Sequence, residues 1–216
     1  MHRNAILRSI LDIGVVPVVR TSSAESAIRA IEAVYAGGIR AAEITMTVPG
    51  AIKALEKLAD QFGDKIVLGA GTVLDPETAR TCMLAGAEFF VTPALNLKTI
   101  EIAKRYSKII MPGALTPTEV VHAWEAGADF VKIFPCSAMG GAKYIKALKA
   151  PLPHVEMVPT GGVSIETTAD FLRAGASAVA VGGELIDEKT IREGKYEIFE
   201  ERARQFLAEV AKARGN

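Results

Sequence analysis

The stretch AGADFVKIFP, residues 126–135, has three counterparts along the chain: AGGIRAAEIT (36–45), AGAEFFVTP (85–93) and AGASAVAVGG (174–183). Each follows an amphipathic segment of helical period and runs into a short apolar segment. Glycine readily takes the left-handed conformation that closes a helix, so each copy reads as the passage from a helix into a strand. The repeat therefore predicts an alternation of helix and strand along the whole chain.

Filling in between the copies gives eight expected strands: 15–20, 41–46, 66–73, 89–93, 108–112, 130–135, 155–160 and 178–183. Helical period is expected over 23–36, 50–61, 75–86, 97–106, 116–126, 140–149, 164–174 and 196–213, with a further helix docked at the N-terminus. Most of the strands are nearly continuous apolar runs, as in a parallel sheet covered on both faces. Alternating strands and helices imply right-handed crossovers. Eight such units in 216 residues predict a compact (β/α)₈ TIM barrel with an N-terminal helix. The rival, an open doubly wound sheet, wants a glycine fingerprint after the first strand. This chain has RTSSAES there, residues 20–26. No linker, low-complexity tract or charge block divides residues 1–216, so one domain is expected.

Half of the residues are apolar, enough for one sizeable core. Lys plus Arg number 25 and Asp plus Glu 25, and no basic patch suggests nucleic acid. The apolar runs are of strand length and well short of the roughly 20 residues of a membrane helix. The start of the chain lacks a small-residue cleavage site, so no signal peptide is expected. Cys82 and Cys136 are far apart and read as free thiols of a reducing cytoplasm. The three histidines lack ligand spacing, and no metal or other cofactor is expected.

In a barrel of this kind the loops after the strands carry the chemistry. Here glycine, proline and threonine gather at those ends. Turn formation and helix capping explain many of them, with Asp75, Thr116 and Ser164 in N-cap position. Turn chemistry does not explain charges inside strands. Glu43 lies in the second expected strand and Lys132 in the sixth, four strands apart and therefore facing each other across a closed ring. Such a pair reads equally as a buried structural ion pair or as a catalytic pair. An amine in an apolar pocket loses the hydration of its charged form and can attack a carbonyl, while a carboxylate beside it moves protons at the adjacent carbon. Two glycine pairs, Gly161–Gly162 and Gly182–Gly183, follow the seventh and eighth strands, the usual places for a phosphate cradle of backbone amides.

The segments EITMTVP (43–49), GAGTVL (69–74), TPTE (116–119), VKIFP (131–135) and VPTGG (158–162) occur in an order and spacing similar to the 2-keto-3-deoxy-6-phosphogluconate (KDPG) and 4-hydroxy-2-oxoglutarate (KHG) aldolase family. The resemblance covers nearly the whole chain. It implies a class I, metal-free, homotrimeric aldolase that acts on a keto-acid phosphate and releases pyruvate. It implies Lys132 as the Schiff-base residue and Glu43 as the general acid/base. Thr72 is then expected to help hold the pyruvyl carboxylate, Pro93 and Phe134 to line the pocket, and Thr160 to sit near the substrate hydroxyls. Gly161, Gly162, Gly182 and Gly183 are expected around the phosphate. Two positions depart from the family's pattern. Thr47 stands where many members carry a substrate-binding arginine, and Gly183 where many carry a serine. Arg20, at the end of the neighbouring first strand, is expected to supply the missing positive charge.

Beside this reading stand a galactonate-series aldolase of the same family, a phosphosugar isomerase or epimerase that forms no covalent adduct, and a non-catalytic barrel in which Glu43 and Lys132 form a structural pair. Trapping with pyruvate and borohydride separates the aldolases from the other two.

Overall fold

The computed structural model describes residues 2–215. In chain order the elements are α1 (Arg3–Ile13), β1 (Val15–Val19), α2 (Ala24–Ala36), β2 (Ala41–Thr45), α3 (Ala51–Phe62), β3 (Val67–Gly71), α4 (Pro76–Leu84), β4 (Phe89–Val91), α5 (Leu97–Arg105), β5 (Ile109–Met111) and β6 (Gly113–Ala114). They continue with α6 (Pro117–Glu125), β7 (Val131–Ile133), α7 (Ala142–Lys149), β8 (Met157–Pro159), α8 (Ile165–Arg173), β9 (Val179–Val181), α9 (Glu188–Arg192) and α10 (Glu197–Arg214). The glycines of the repeat, Gly38, Gly86, Gly127 and Gly175, all have φ between 93° and 102°. They make the left-handed turn that the repeat predicts. Asp75, Thr116 and Ser164 cap α4, α6 and α8, the last two in reciprocal capping boxes.

All strand pairs are parallel, and the sheet curls around its own inner face. Six strands run in the order β5-β4-β3-β2-β1-β9 and three in the order β6-β7-β8. The expected fifth strand, 108–112, is here two short strands separated by Pro112. Proline has no N–H to continue the ladder. The following amide, Gly113 N, donates instead to the Thr92 hydroxyl at 3.1 Å. A single parallel bridge between Thr160 and Ala180 joins the end of β8 to β9. The other expected strands shorten to their hydrogen-bonded middles. The helix expected at 140–149 starts at Ala142, after a 3₁₀ turn over Ser137–Met139. The five-residue α9 has no counterpart among the expected elements.

Two layers of apolar side chains follow from the period of two along each strand. Val15, Val19, Ala42, Ile44, Val131, Ile133, Val179 and Val181 pack outward with the helices in one core. Val16, Val18, Ala41, Val67, Phe89, Ile109, Val158 and Ala180 pack inward in another, which Ile6 and Ile10 of α1 close from below. The N-terminal helix thus plugs the end of the curled sheet remote from the strand C-termini. Asp129, just before β7, fixes it there. Its carboxylate accepts from Arg3 of α1, from Lys104 at 3.2 Å and from the Ile110 amide at 3.0 Å. The tail helix α10 docks through Phe199, Phe206 and Val210 into the outer core.

Candidate active site

Alternation decides where the two strand charges point. Ala42 and Ile44 belong to the outer core and Ala41 to the inner one, so Glu43 projects inward. Val131 and Ile133 are outward, so Lys132 projects inward as well. Glu43 is 1% exposed and Lys132 7%. Both oxygens of Glu43 are buried without a hydrogen-bond partner among the described residues. The Lys132 ammonium lies 5.0 Å from the centre of the Phe134 ring, close enough for a cation–π contact.

Each group shifts the electrostatics of the other. Burial pushes the Glu43 carboxyl above its ordinary range, an effect that the charges of Lys132 and Arg20 oppose. Burial pulls the Lys132 amine below the ordinary lysine value, Glu43 opposes this, and Arg20 adds to it. Both shifts favour the uncharged forms, a free amine beside a protonated acid. That is the state a nucleophilic amine with a proton donor requires.

Small backbone makes room for the pair. Glu43 stands opposite Gly69 in the β2–β3 register. A Cβ at the nearby Gly71 would come within 2.5 Å of Glu43 Oε1, so only glycine fits there. Lys132 pairs with Gly113 on one side and Val158 on the other. A Cβ at Gly113 would collide with the Pro93 backbone, so Pro93 packs against β6, the strand paired with that of Lys132. Thr72, directly after β3, has φ +55°, a strained left-handed conformation for a β-branched residue. Thr45 and Thr47 join hydroxyls at 2.8 Å, and Thr45 Oγ1 lies 3.3 Å from the Val19 carbonyl oxygen, next to Arg20.

Above Phe134, at the strand C-terminal ends, opens a cavity of about 480 Å³. It brings together Arg20, Phe134, Thr160 and the two glycine pairs, Gly161–Gly162 and Gly182–Gly183. Lys132, Glu43, Thr47, Thr72 and Pro93 are not part of its lining. The first two lie in the interior of the sheet. Thr47 is exposed, and Thr72 and Pro93 are half-buried at neighbouring strand ends. Arg20 nonetheless bears electrostatically on both Glu43 and Lys132. Cys136 is fully buried, and burial pushes its thiol up to about 11, in keeping with a packing role.

Sequence reasoning missed Gly71 and Gly113 as spacers for the pair. It also missed Glu184, Asp187 and Glu188, which line the cavity. Glu184 directly follows the Gly182–Gly183 pair and Asp187 and Glu188 come shortly after it, and that closeness was the one signal available for them. Among the described residues no group of three His, Cys, Asp or Glu side chains is disposed to hold a metal ion.

The profile of the "KDPG and KHG aldolase" family matches residues 6–201. A 2-dehydro-3-deoxy-6-phosphogalactonate aldolase of Escherichia coli K12 is 37% identical over 171 residues, covering 79% of this chain and 83% of the relative. The KHG/KDPG aldolase of the same organism is 34% identical over 199 residues, covering 91% and 92%. The solved KDPG aldolase of Legionella pneumophila, with pyruvate captured as a covalent carbinolamine, superposes with a TM-score of 0.84 at 29% identity, covering 94% of this chain and 97% of that one. With a profile match that spans most of its length, this chain belongs to the KDPG and KHG aldolase family and is a lyase of the aldolase type.

Proposed function

We propose that this chain is a Schiff-base aldolase that cleaves 2-keto-3-deoxy-6-phosphogluconate to pyruvate and glyceraldehyde 3-phosphate, and 4-hydroxy-2-oxoglutarate to pyruvate and glyoxylate. The observation that carries this reading is the inward-facing pair Glu43 and Lys132, both buried and both shifted toward their neutral forms. The uncharged Lys132 amine adds to the C2 carbonyl, and the protonated Glu43 gives its proton to the departing hydroxyl, which leaves as water, so that an iminium and a Glu43 carboxylate remain. Glu43, as carboxylate, takes the proton of the C4 hydroxyl. The C3–C4 bond breaks, its electron pair passes into the iminium as an enamine, and the aldehyde leaves. Glu43 returns the proton to C3, and water releases pyruvate from the lysine.

Thr72 and Arg20 hold the pyruvyl carboxylate, and the Thr47 hydroxyl occupies the place of the family's arginine. Pro93 and Phe134 are the apolar walls. Thr160 faces the substrate hydroxyls, and the amides of Gly161, Gly162, Gly182 and Gly183 receive the tail of the substrate. The catalytic domain spans residues 1–216, and its curled sheet closes as an eight-stranded (β/α)₈ barrel. Two features support closure: the Thr160–Ala180 bridge and the hydrogen bond from Lys132 N to the Pro112 carbonyl between β5 and β6. Family likeness further suggests a homotrimer, for which a solution mass of three 22.9-kDa chains is the check. No helix among the described residues is long and apolar enough to cross a membrane, and a cytoplasmic location is part of the proposal.

Incubation with pyruvate and borohydride should leave a reduced adduct on Lys132, located by peptide mass spectrometry. A Lys132→Ala variant should neither trap pyruvate nor turn over. Adduct at another lysine, or turnover by that variant, would sink the reading.

A further inference from the structure

Glu43 and Lys132 stand in different sheets. β2 belongs to the six-stranded sheet and β7 to the three-stranded one, so the placing of amine against acid depends on how the two sheets are joined. One seam holds the Thr160–Ala180 bridge. The other runs where the chain passes from β5 through Pro112 into β6. Low on this seam, away from the strand C-termini, the Asp129 and Phe130 amides donate to the Ile110 carbonyl at 3.1 and 3.4 Å. At the level of Lys132 the link is made by one peptide group and one side chain.

That peptide group joins Pro112 to Gly113. Its carbonyl accepts from the Lys132 amide at 2.9 Å, and its N–H donates to the Thr92 hydroxyl at 3.1 Å. The hydroxyl donates in turn to the Ala94 carbonyl. A continuous run of hydrogen bonds therefore leads from the backbone of Lys132 to the loop after β4, and in such a run each bond polarises the next. The same loop touches β6 directly. The carbonyl carbon and oxygen of Pro93 lie 2.4 Å from the place of a Gly113 Cβ. Thr92 thus ties together both sides of a contact between the Pro93 backbone and the partner strand of Lys132. Helix capping does not account for its hydroxyl, since Asn96 caps α5. Thr92 is 1% exposed, and Pro112 and Gly113 are buried with it, so no bulk water stands ready to replace a lost hydroxyl.

Resting on the aldolase reading above, we propose that Thr92 is a positioning residue for that reaction. It does not line the cavity. Through the Pro112–Gly113 peptide it fixes the height of Lys132 against the Pro93 wall, and so the approach of the amine to the C2 carbonyl. A misplacement of about 1 Å at a reacting group costs on the order of 10²-fold in rate.

The test compares Thr92→Val, which keeps the shape and removes the hydroxyl, with Thr92→Ser, which keeps the hydroxyl. Formation of the borohydride-reducible pyruvate adduct on Lys132 is followed in time, beside kcat and KM for KDPG cleavage, on full chains whose folding is checked by circular dichroism. The valine variant should form the adduct about tenfold more slowly and lose kcat by a similar factor, with KM within about twofold of the wild type. Serine should restore both rates to within about threefold. Where the valine variant does not fold, Thr92→Ala takes its place with the same expected loss. Wild-type rates without the hydroxyl overturn the proposal. So does a serine variant about tenfold impaired, because the methyl group and its packing would then be what matters. The wild type separates the two levels. If it forms the Lys132 adduct, either of those results removes the role of Thr92 alone. If it forms none, the aldolase reading falls and takes this one with it.

Discussion

Lys132 stands between Val131 and Ile133, both turned outward into the helix layer, so the pleat alone directs its amine inward. The same alternation turns Glu43 inward between Ala42 and Ile44. These two residues were legible in the sequence because a charge within an apolar strand breaks its pattern and asks for a reason. Gly71 was not, because its need for hydrogen in place of Cβ depends on which side chain lies across from it. Glu184 and Glu188 were not, because a charged residue in a turn or at a helix start looks the same whether it faces bulk water or a cavity. The chemistry assigned to Glu43 leads to an expected outcome at this scale. Glu43→Gln keeps a hydrogen-bonding side chain of the same size but can no longer exchange a proton. Adduct formation with pyruvate should survive, while exchange of the pyruvate methyl protons with deuterated solvent, followed by NMR, should slow by about 10²-fold or more. Exchange near the wild-type rate would assign the proton transfer to another group.

At the scale of elements, the curled sheet holds its site at one end because the other is plugged. Strand existence was readable from the glycine repeat and the apolar runs, since both follow from local chemistry. Strand extent was not. Pro112 divides the fifth strand for want of an N–H, and Thr92 then serves the Gly113 amide. The sequence shows the proline but not the hydroxyl that makes the break tolerable. The five-residue α9 is too short for periodicity to announce it. The plug itself depends on Asp129, whose side chain is 5% exposed and joins α1, α5 and β5 through Arg3, Lys104 and the Ile110 amide. Asp129→Ala leaves that amide without its acceptor and removes the anchor of α1. A loss of about 2–4 kcal/mol is expected, from the charged hydrogen bonds given up and the buried donor left unsatisfied. Urea denaturation measures it, and a change below about 0.5 kcal/mol, the range of unremarkable surface substitutions, would show that α1 is held by Ile6 and Ile10 alone.

For the whole molecule, the proposed catalytic pair sets function against stability. In the unfolded chain Glu43 and Lys132 titrate near 4.5 and 10.5, and folding moves the first up and the second down. Between the ordinary and the raised value, native Glu43 binds more protons than the unfolded chain does, so its contribution to stability falls as pH rises above 4.5. Lys132 works in the opposite sense. Its unfolded form binds the extra proton, so its contribution falls as pH drops below 10.5. Replacing both with uncharged groups of similar size, Glu43→Gln/Lys132→Met, removes both costs and should leave an inactive protein about 1–4 kcal/mol more stable near neutral pH. The single variants distinguish this from generic repacking. Glu43→Gln should gain on the wild type as pH rises, because the remaining amine then sheds its proton and needs no counter-charge. Lys132→Met should gain as pH falls, because the remaining acid is then neutral. Denaturation curves for the three proteins at intervals between about pH 5 and 10 should therefore show the two single variants diverging in opposite directions from the wild type. Parallel curves would mean that the groups titrate alike in the folded and unfolded chain, and that the interior is far better hydrated than a Schiff-base amine requires.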